Sequence, residues 1–146
     1  MSASTLLTLT LTFAPLTHAT ATPNPCDAYP AKSAQLACAN DGYLVSFGDK
    51  YCRLFHASTA DFTPAGQQTL KRIRECLIEH LKDPQLTCAN VKERSQSAHV
   101  ECYLKGGYCE LSKADKWTIF KKTWRNWFGE GFHRVRTQIQ EGCRHR

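Results

Sequence analysis

Eight cysteines constrain this chain more than any other feature of it. They stand at Cys26, Cys38, Cys52, Cys76, Cys88, Cys102, Cys109 and Cys143, and no two of them form a CxxC pair. Zinc ribbons and fingers take their thiolates in close pairs, so this spacing speaks against a metal site. An even number at wide, irregular intervals reads instead as four disulfides. Eight thiols can pair in about 105 ways, and spacing alone does not choose among them. Whatever the pairing, the chain has to fold in an oxidising compartment.

The amino end points to the same compartment. Residues 1–21, MSASTLLTLTLTFAPLTHATA, contain no Asp, Glu, Lys or Arg. Leu6 to Ala14 is an apolar run interrupted by threonines and too short to span a bilayer. Ala19-Thr20-Ala21 then supplies the small-x-small pattern that signal peptidase accepts. The expected organisation is a signal peptide over 1–21, secretion to the extracellular space, and one mature helical domain over 22–146. That is enough chain for a modest core.

Helical periodicity dominates the mature chain. Pro23, Pro25 and Pro30 predict an extended leader held by Cys26. The stretch between Cys38 and Cys52 fits either a hairpin or a loop leading into a helix. At Thr63-Pro64 a capping threonine precedes a proline suited to the first helical position. Leu70, Ile73, Leu77 and Leu81 follow at offsets of three and four, and Asp83-Pro84 stops the helix. A second helical segment runs to Lys105 and ends at Gly106-Gly107. Ser112 and Asp115 have capping-box spacing, and Trp117, Phe120, Trp124 and either Trp127 or Phe128 follow at helical intervals, predicting a buried aromatic stripe. After Gly129 and Gly131, Phe132, Val135 and Ile139 outline a last short helix. Strand-like alternation is scarce, so the expected class is all-α, a disulfide-stapled bundle of short helices.

Charge is distributed unevenly. Leu111 to Arg146 holds nine Lys/Arg against three Asp/Glu, whereas the remainder carries ten of each. Lys116, Lys121, Lys122, Arg125, Arg134 and Arg136 are therefore the candidate partner-binding residues. Lys121, Lys122 and Arg125 flank the aromatic stripe and are expected on the exposed side of its helix. Heparin-like polysaccharide, an anionic surface or an acidic protein would complement them; nucleic acid does not suit an exported chain. No catalytic residue, cofactor site or metal site is expected. The histidines are scattered, paired cysteines offer no nucleophile, and the acidic residues do not gather into an oxygen-rich calcium loop.

YCRLFHASTADFTPAGQQTLKRIRECL, Tyr51 to Leu77, resembles the first long helical region of the stanniocalcins. ECYLKGGYCELSKADK, Glu101 to Lys116, is similar to that family's ECY motif followed by a cysteine seven residues on, and EGC at Glu141 to Cys143 falls where its next cysteine stands. The resemblance implies the bridges Cys26–Cys52, Cys38–Cys88, Cys76–Cys102 and Cys109–Cys143. It also implies a secreted, hormone-like extracellular ligand that acts by binding a protein or receptor, with a role in calcium or phosphate homeostasis or signalling. The chain departs from the family in three ways: it lacks an Asn-x-Ser/Thr sequon, the cysteines of a further amino-terminal bridge, and the family's dimer-linking cysteine. A monomer or noncovalent dimer is therefore expected. The alternative is a small secreted effector or inhibitor that binds an acidic partner through its basic carboxyl quarter.

Simple geometry resists one implied bridge. If the segments flanking Pro84 were straight antiparallel helices, Cys76 and Cys102 would be offset by about 15 Å along the axes, whereas a disulfide tolerates roughly 7 Å between Cα atoms. Cys76 to Cys88 would suit such a hairpin better. The Cys76–Cys102 bridge requires a break, and Cys88-Ala89-Asn90 is the candidate for it.

Overall fold

The computed structural model describes residues 23–39, 42–126 and 129–145. The predicted signal peptide, Trp127 and Phe128 lie outside them. Among the described residues the chain is all-α, with no strand and six α-helices tied by four disulfides. Among the described residues no helix is long and apolar enough to cross a membrane.

Helix α1, Ala28–Gln35, follows a 3₁₀ turn, Pro25–Asp27, whose first amide donates to Asn24 Oδ1 at 3.0 Å. The proline-rich leader is thus helical from Pro25 onward, with Asn24 alone shown as extended backbone before it. Pro25 occupies a first-turn position and Pro30 falls in the first turn of α1, where a missing N–H costs no intrahelical bond. Between Cys38 and Cys52 the chain forms a π-helical turn, Leu44–Asp49, that runs into α2, Lys50–Ala57. Of the two readings open at this stretch, the loop leading into a helix is the one that forms.

Helix α3, Pro64–His80, begins as its sequence predicts: Thr63 Oγ1 accepts from the Gly66 amide at 3.1 Å, and Pro64 takes the first position. Helix α4, Val91–Gly106, ends where Gly107 adopts φ 97°, a left-handed conformation that favours glycine. Its neighbour Gly106 serves a different purpose. A Cβ there would stand 2.5 Å from Ile73 Cγ1, so the missing side chain lets α4 lie directly on α3. Helix α5, Lys113–Thr123, is capped by Ser112, and α6, Glu130–Arg144, closes the chain. Helix α4 packs against both α3 and α6 and so forms the centre of the bundle.

The cysteines pair as Cys26–Cys52, Cys38–Cys88, Cys76–Cys102 and Cys109–Cys143, the same four pairs that the resemblance implies, and none is left free. The Cys76 and Cys102 Cα atoms are 5.6 Å apart. The offset of a straight hairpin disappears because residues 81–90 are not helical: α3 stops at His80 and α4 does not start until Val91. Within that connector Thr87 and Asn90 bond reciprocally, Thr87 N to Asn90 Oδ1 at 2.8 Å and Asn90 N to Thr87 Oγ1 at 3.3 Å. Arg94 pins its other end through Asp83 at 2.8 Å. Cys88 lies in this turn, free of any helical register, and reaches Cys38.

Two small cores result. One gathers Cys26, Tyr29, Leu44, Cys52, Leu81, Leu86 and Val91; the other gathers Phe62, Leu70, Leu111 and Ile119. Burial, reinforced by Asp49, raises the Tyr29 phenol to about 12. Cores this small do not hold a bundle alone, and each disulfide adds about 3 to 4 kcal/mol by restricting the unfolded chain.

Asp115 joins the second core to α3. Its side chain is buried at 2% exposure and accepts from Thr63 N at 2.9 Å, Thr63 Oγ1 at 2.7 Å and Ser112 Oγ at 2.8 Å. Burial pushes its pKa up, but the Thr63 and Ser112 bonds outweigh that and hold it below the ordinary carboxylate value. One carboxylate thus ties together the starts of α3 and α5. Replacing Asp115 by Ala strands both Thr63 donors and is expected to cost about 3 kcal/mol in chemical denaturation of the oxidised protein, with Asp115→Asn costing less. Unchanged stability in D115A would show that this carboxylate does not hold α5 in place.

Candidate binding cleft and exposed tryptophan stripe

Asp115 decides which way α5 faces. Asp115, Ile119 and Thr123, four residues apart, form its buried side. Helical rotation of about 100° per residue places Trp117 and Trp124 on the far side, where they are 58% and 52% exposed. The expectation of a buried aromatic stripe is therefore corrected: hydrogen bonding at the cap fixes the rotation of the helix, and the tryptophans are carried outward. Trp117 stacks on Phe120 at 4.9 Å, and the Arg125 guanidinium lies over Trp124 at 5.8 Å. Lys121 is exposed between the two tryptophans, giving a surface stripe of Trp117, Lys121, Trp124 and Arg125.

The remaining basic candidates do not share this surface. Lys122 departs from the expectation that it would project outward: its side chain is only 18% exposed and bonds Asp61 at 2.7 Å, tying α5 to the turn before α3. Lys116 is half-buried, donates to the Cys109 carbonyl at 2.7 Å and lies over the Tyr108 ring. Arg134 is exposed and donates to Gln96 Oε1; Arg136 is half-buried.

Lys116, Arg125, Arg134 and Arg136 meet at a cleft of about 930 Å³ between α2, α4, α5 and α6. Lys50 and Lys92, from outside the basic quarter, also line it, and no Asp or Glu does so among the described residues. Its floor is aromatic. Tyr43 stacks on Phe47 at 5.1 Å and Phe47 meets Tyr51 at 4.7 Å, at four-residue spacing along the π-helical turn and α2. Phe47 also meets His99 of α4 at 6.3 Å, and His99 continues to Tyr103 and Tyr108. Burial raises the Tyr43 and Tyr103 phenols, which therefore stay neutral. The aromatic residues at Tyr43, Phe47, Tyr51 and Phe55, and at His99 and Tyr103, recur every four positions, a signal readable in the sequence but obscured by the undecided Cys38–Cys52 stretch.

Two histidines of α3 and α4 have separate partners. His80 Nε2 lies 3.5 Å from Glu101, and His99 Nδ1 lies 2.6 Å from the Ser95 carbonyl of its own helix. Cys76, His80 and Cys102 come close enough to hold an ion, but the two sulfurs are bonded to each other and offer no thiolate.

Burial beside Phe47 and Tyr103 pushes the His99 pKa below its ordinary value, although the Ser95 bond favours the charged form. In the unfolded chain His99 takes up its proton near pH 6.5, before the folded protein does. Stability therefore falls as pH drops below about 6.5 and levels off once the folded form also protonates, with a slope of up to about 1.4 kcal/mol per pH unit. Denaturation midpoints between pH 7.5 and 5.5 should fall less in a His99→Phe variant than in the native protein. Equal slopes would show that His99 titrates alike in both states.

No protein-family model, curated protein or solved structure matches this chain.

Proposed function

We propose that this chain is a secreted, non-enzymatic extracellular ligand of the stanniocalcin-like kind, which engages an acidic protein partner through the Trp117, Lys121, Trp124 and Arg125 stripe. The calcium or phosphate balance implied by the resemblance is the physiological setting this reading assigns to it. The observation that carries the proposal is the exposure of two tryptophans on one side of a short helix whose opposite side is locked to α3. Tryptophan and arginine dominate the energetics of protein interfaces, and exposing two tryptophans with no partner is unfavourable. The adjacent Lys121 and Arg125 select an acidic counterpart. Four covalent closures hold the stripe's helix in place and suit the protein to an oxidising, extracellular setting.

The alternative of one broad basic carboxyl surface has less support. Lys122 is paired with Asp61, and Lys116 is held by a carbonyl and an aromatic ring. Only part of the charge excess is left to face outward.

The test is chemical-crosslinking capture on intact cells with the mature, oxidised protein and a Trp117→Ser, Lys121→Glu, Trp124→Ser variant, each with and without heparinase. The expected result is one dominant captured protein, insensitive to heparinase and weakened roughly 30-fold or more in the variant. Equal capture by the variant, or complete loss after heparinase, would contradict the proposal.

A further inference from the structure

The cleft shares Arg125 with the tryptophan stripe but none of Trp117, Lys121 and Trp124, and it has a chemistry of its own. Lys92, Gln96, His99 and Tyr103 all line it from α4. Their spacing of four, three and four places them on one face, a strip about 16 Å long at helical rise. Polarity changes along the strip. At the end where α4 begins, Lys92 and Arg134 are both exposed, and Arg134 bonds Gln96, one turn on from Lys92. The same end carries the positive pole of the helix dipole. Further along, His99 and Tyr103 line the cleft with Val135 and Ile139 of α6, and Lys116, over the Tyr108 ring, and Arg136 lie beside them.

From this arrangement we infer that the cleft is a binding site for an amphiphile with a single carboxylate head and a long hydrocarbon tail, a free fatty acid. The head lies between Lys92 and Arg134, and the tail runs over Phe47, His99 and Tyr103 against Val135 and Ile139. Charge complementarity selects the occupant: six Lys/Arg and no Asp/Glu line the cavity among the described residues, so a cationic or zwitterionic amphiphile finds no counter-charge. Its volume lies within the range of about 300–1,000 Å³ usual for small-ligand sites. The aromatic floor explains the tail. Rings packed on one another, Tyr43 stacked on Phe47 and the others tilted, give apolar contact area without requiring hydrogen bonds along their faces. A phosphate or sulfate alone would use cationic side chains and leave the aromatic part of the strip, His99 and Tyr103, uncovered.

Oleate is the probe, titrated by calorimetry into the mature, oxidised protein below the concentration at which oleate self-associates, with methyl oleate and inorganic phosphate as comparators. Saturable binding of oleate at one site is expected, with methyl oleate at least about tenfold weaker and phosphate showing no saturation. A Lys92→Glu, Arg134→Glu variant changes two exposed side chains and gives up the exposed Arg134–Gln96 bond, so it should move the thermal transition by no more than about a few degrees while losing oleate affinity by about tenfold or more. The Trp117→Ser, Lys121→Glu, Trp124→Ser variant should bind oleate like the native protein, so failure of either proposal leaves the other standing. No oleate binding, equal affinity for oleate and its methyl ester, or an unaffected charge-reversed variant would each overturn the assignment.

Discussion

The Cys76–Cys102 bridge fixes how far α4 is slid along α3, and nearly everything of functional interest depends on that offset. With Cα atoms 5.6 Å apart, the bridge sets Gly106 against Ile73 and brings the face bearing Lys92, Gln96, His99 and Tyr103 to the cleft. One helical turn of slippage would shift that face by about 5 Å and separate His99 from Phe47. Cys102 is fully buried, so the bridge also belongs to the packing between the two helices. The ten-residue connector between α3 and α4 is the structural consequence. It is long enough to absorb the offset and is tied down by the Thr87–Asn90 pair and the Arg94–Asp83 bridge.

A second principle is the separation of charge by structural use. Many of the carboxylates are engaged in holding the fold. Asp27 and Asp49 pair with Arg53, Asp61 with Lys122, Asp83 with Arg94, and Glu101 with Lys105 and His80; Asp115 joins two helix starts. The exposed pairs among these contribute little energy each. Their effect is spatial, because acids committed at these junctions are absent from the cleft. A modest formal excess of +6 becomes a cavity lined only by positive charge among the described residues. Arg125 borders both surfaces; Lys121 stands with the tryptophans outside α5, and Lys50, Lys92, Lys116, Arg134 and Arg136 surround the aromatic floor.

Much of the fold was legible because its signals are local. Thr63-Pro64, Gly106-Gly107 and the Ser112–Asp115 box each act within a few residues, and each marks a helix end where the structure has one. The proline-rich start misled because a proline in the first turn of a helix and one in an extended leader look alike in sequence. The face of α5 misled for a deeper reason. Hydrophobic periodicity favoured the tryptophans as its buried side, but Asp115 bonds to Thr63, 52 residues away, and no local pattern encodes that contact. The cleft was half legible. Its basic residues stood out in the carboxyl quarter, whereas Lys50, Lys92 and the aromatic floor lie in segments that only the bridges bring together.

Four specific covalent closures set the offsets from which both surfaces arise. Mass-spectrometric mapping of the disulfide-linked peptides, from native protein digested at acidic pH without reduction, tests it most directly. Linked peptides joining Cys26 to Cys52, Cys38 to Cys88, Cys76 to Cys102 and Cys109 to Cys143 are expected, with no alkylatable thiol. A Cys76–Cys88 peptide, the pairing suited to a plain helical hairpin, would contradict this pattern and remove the basis for the cleft.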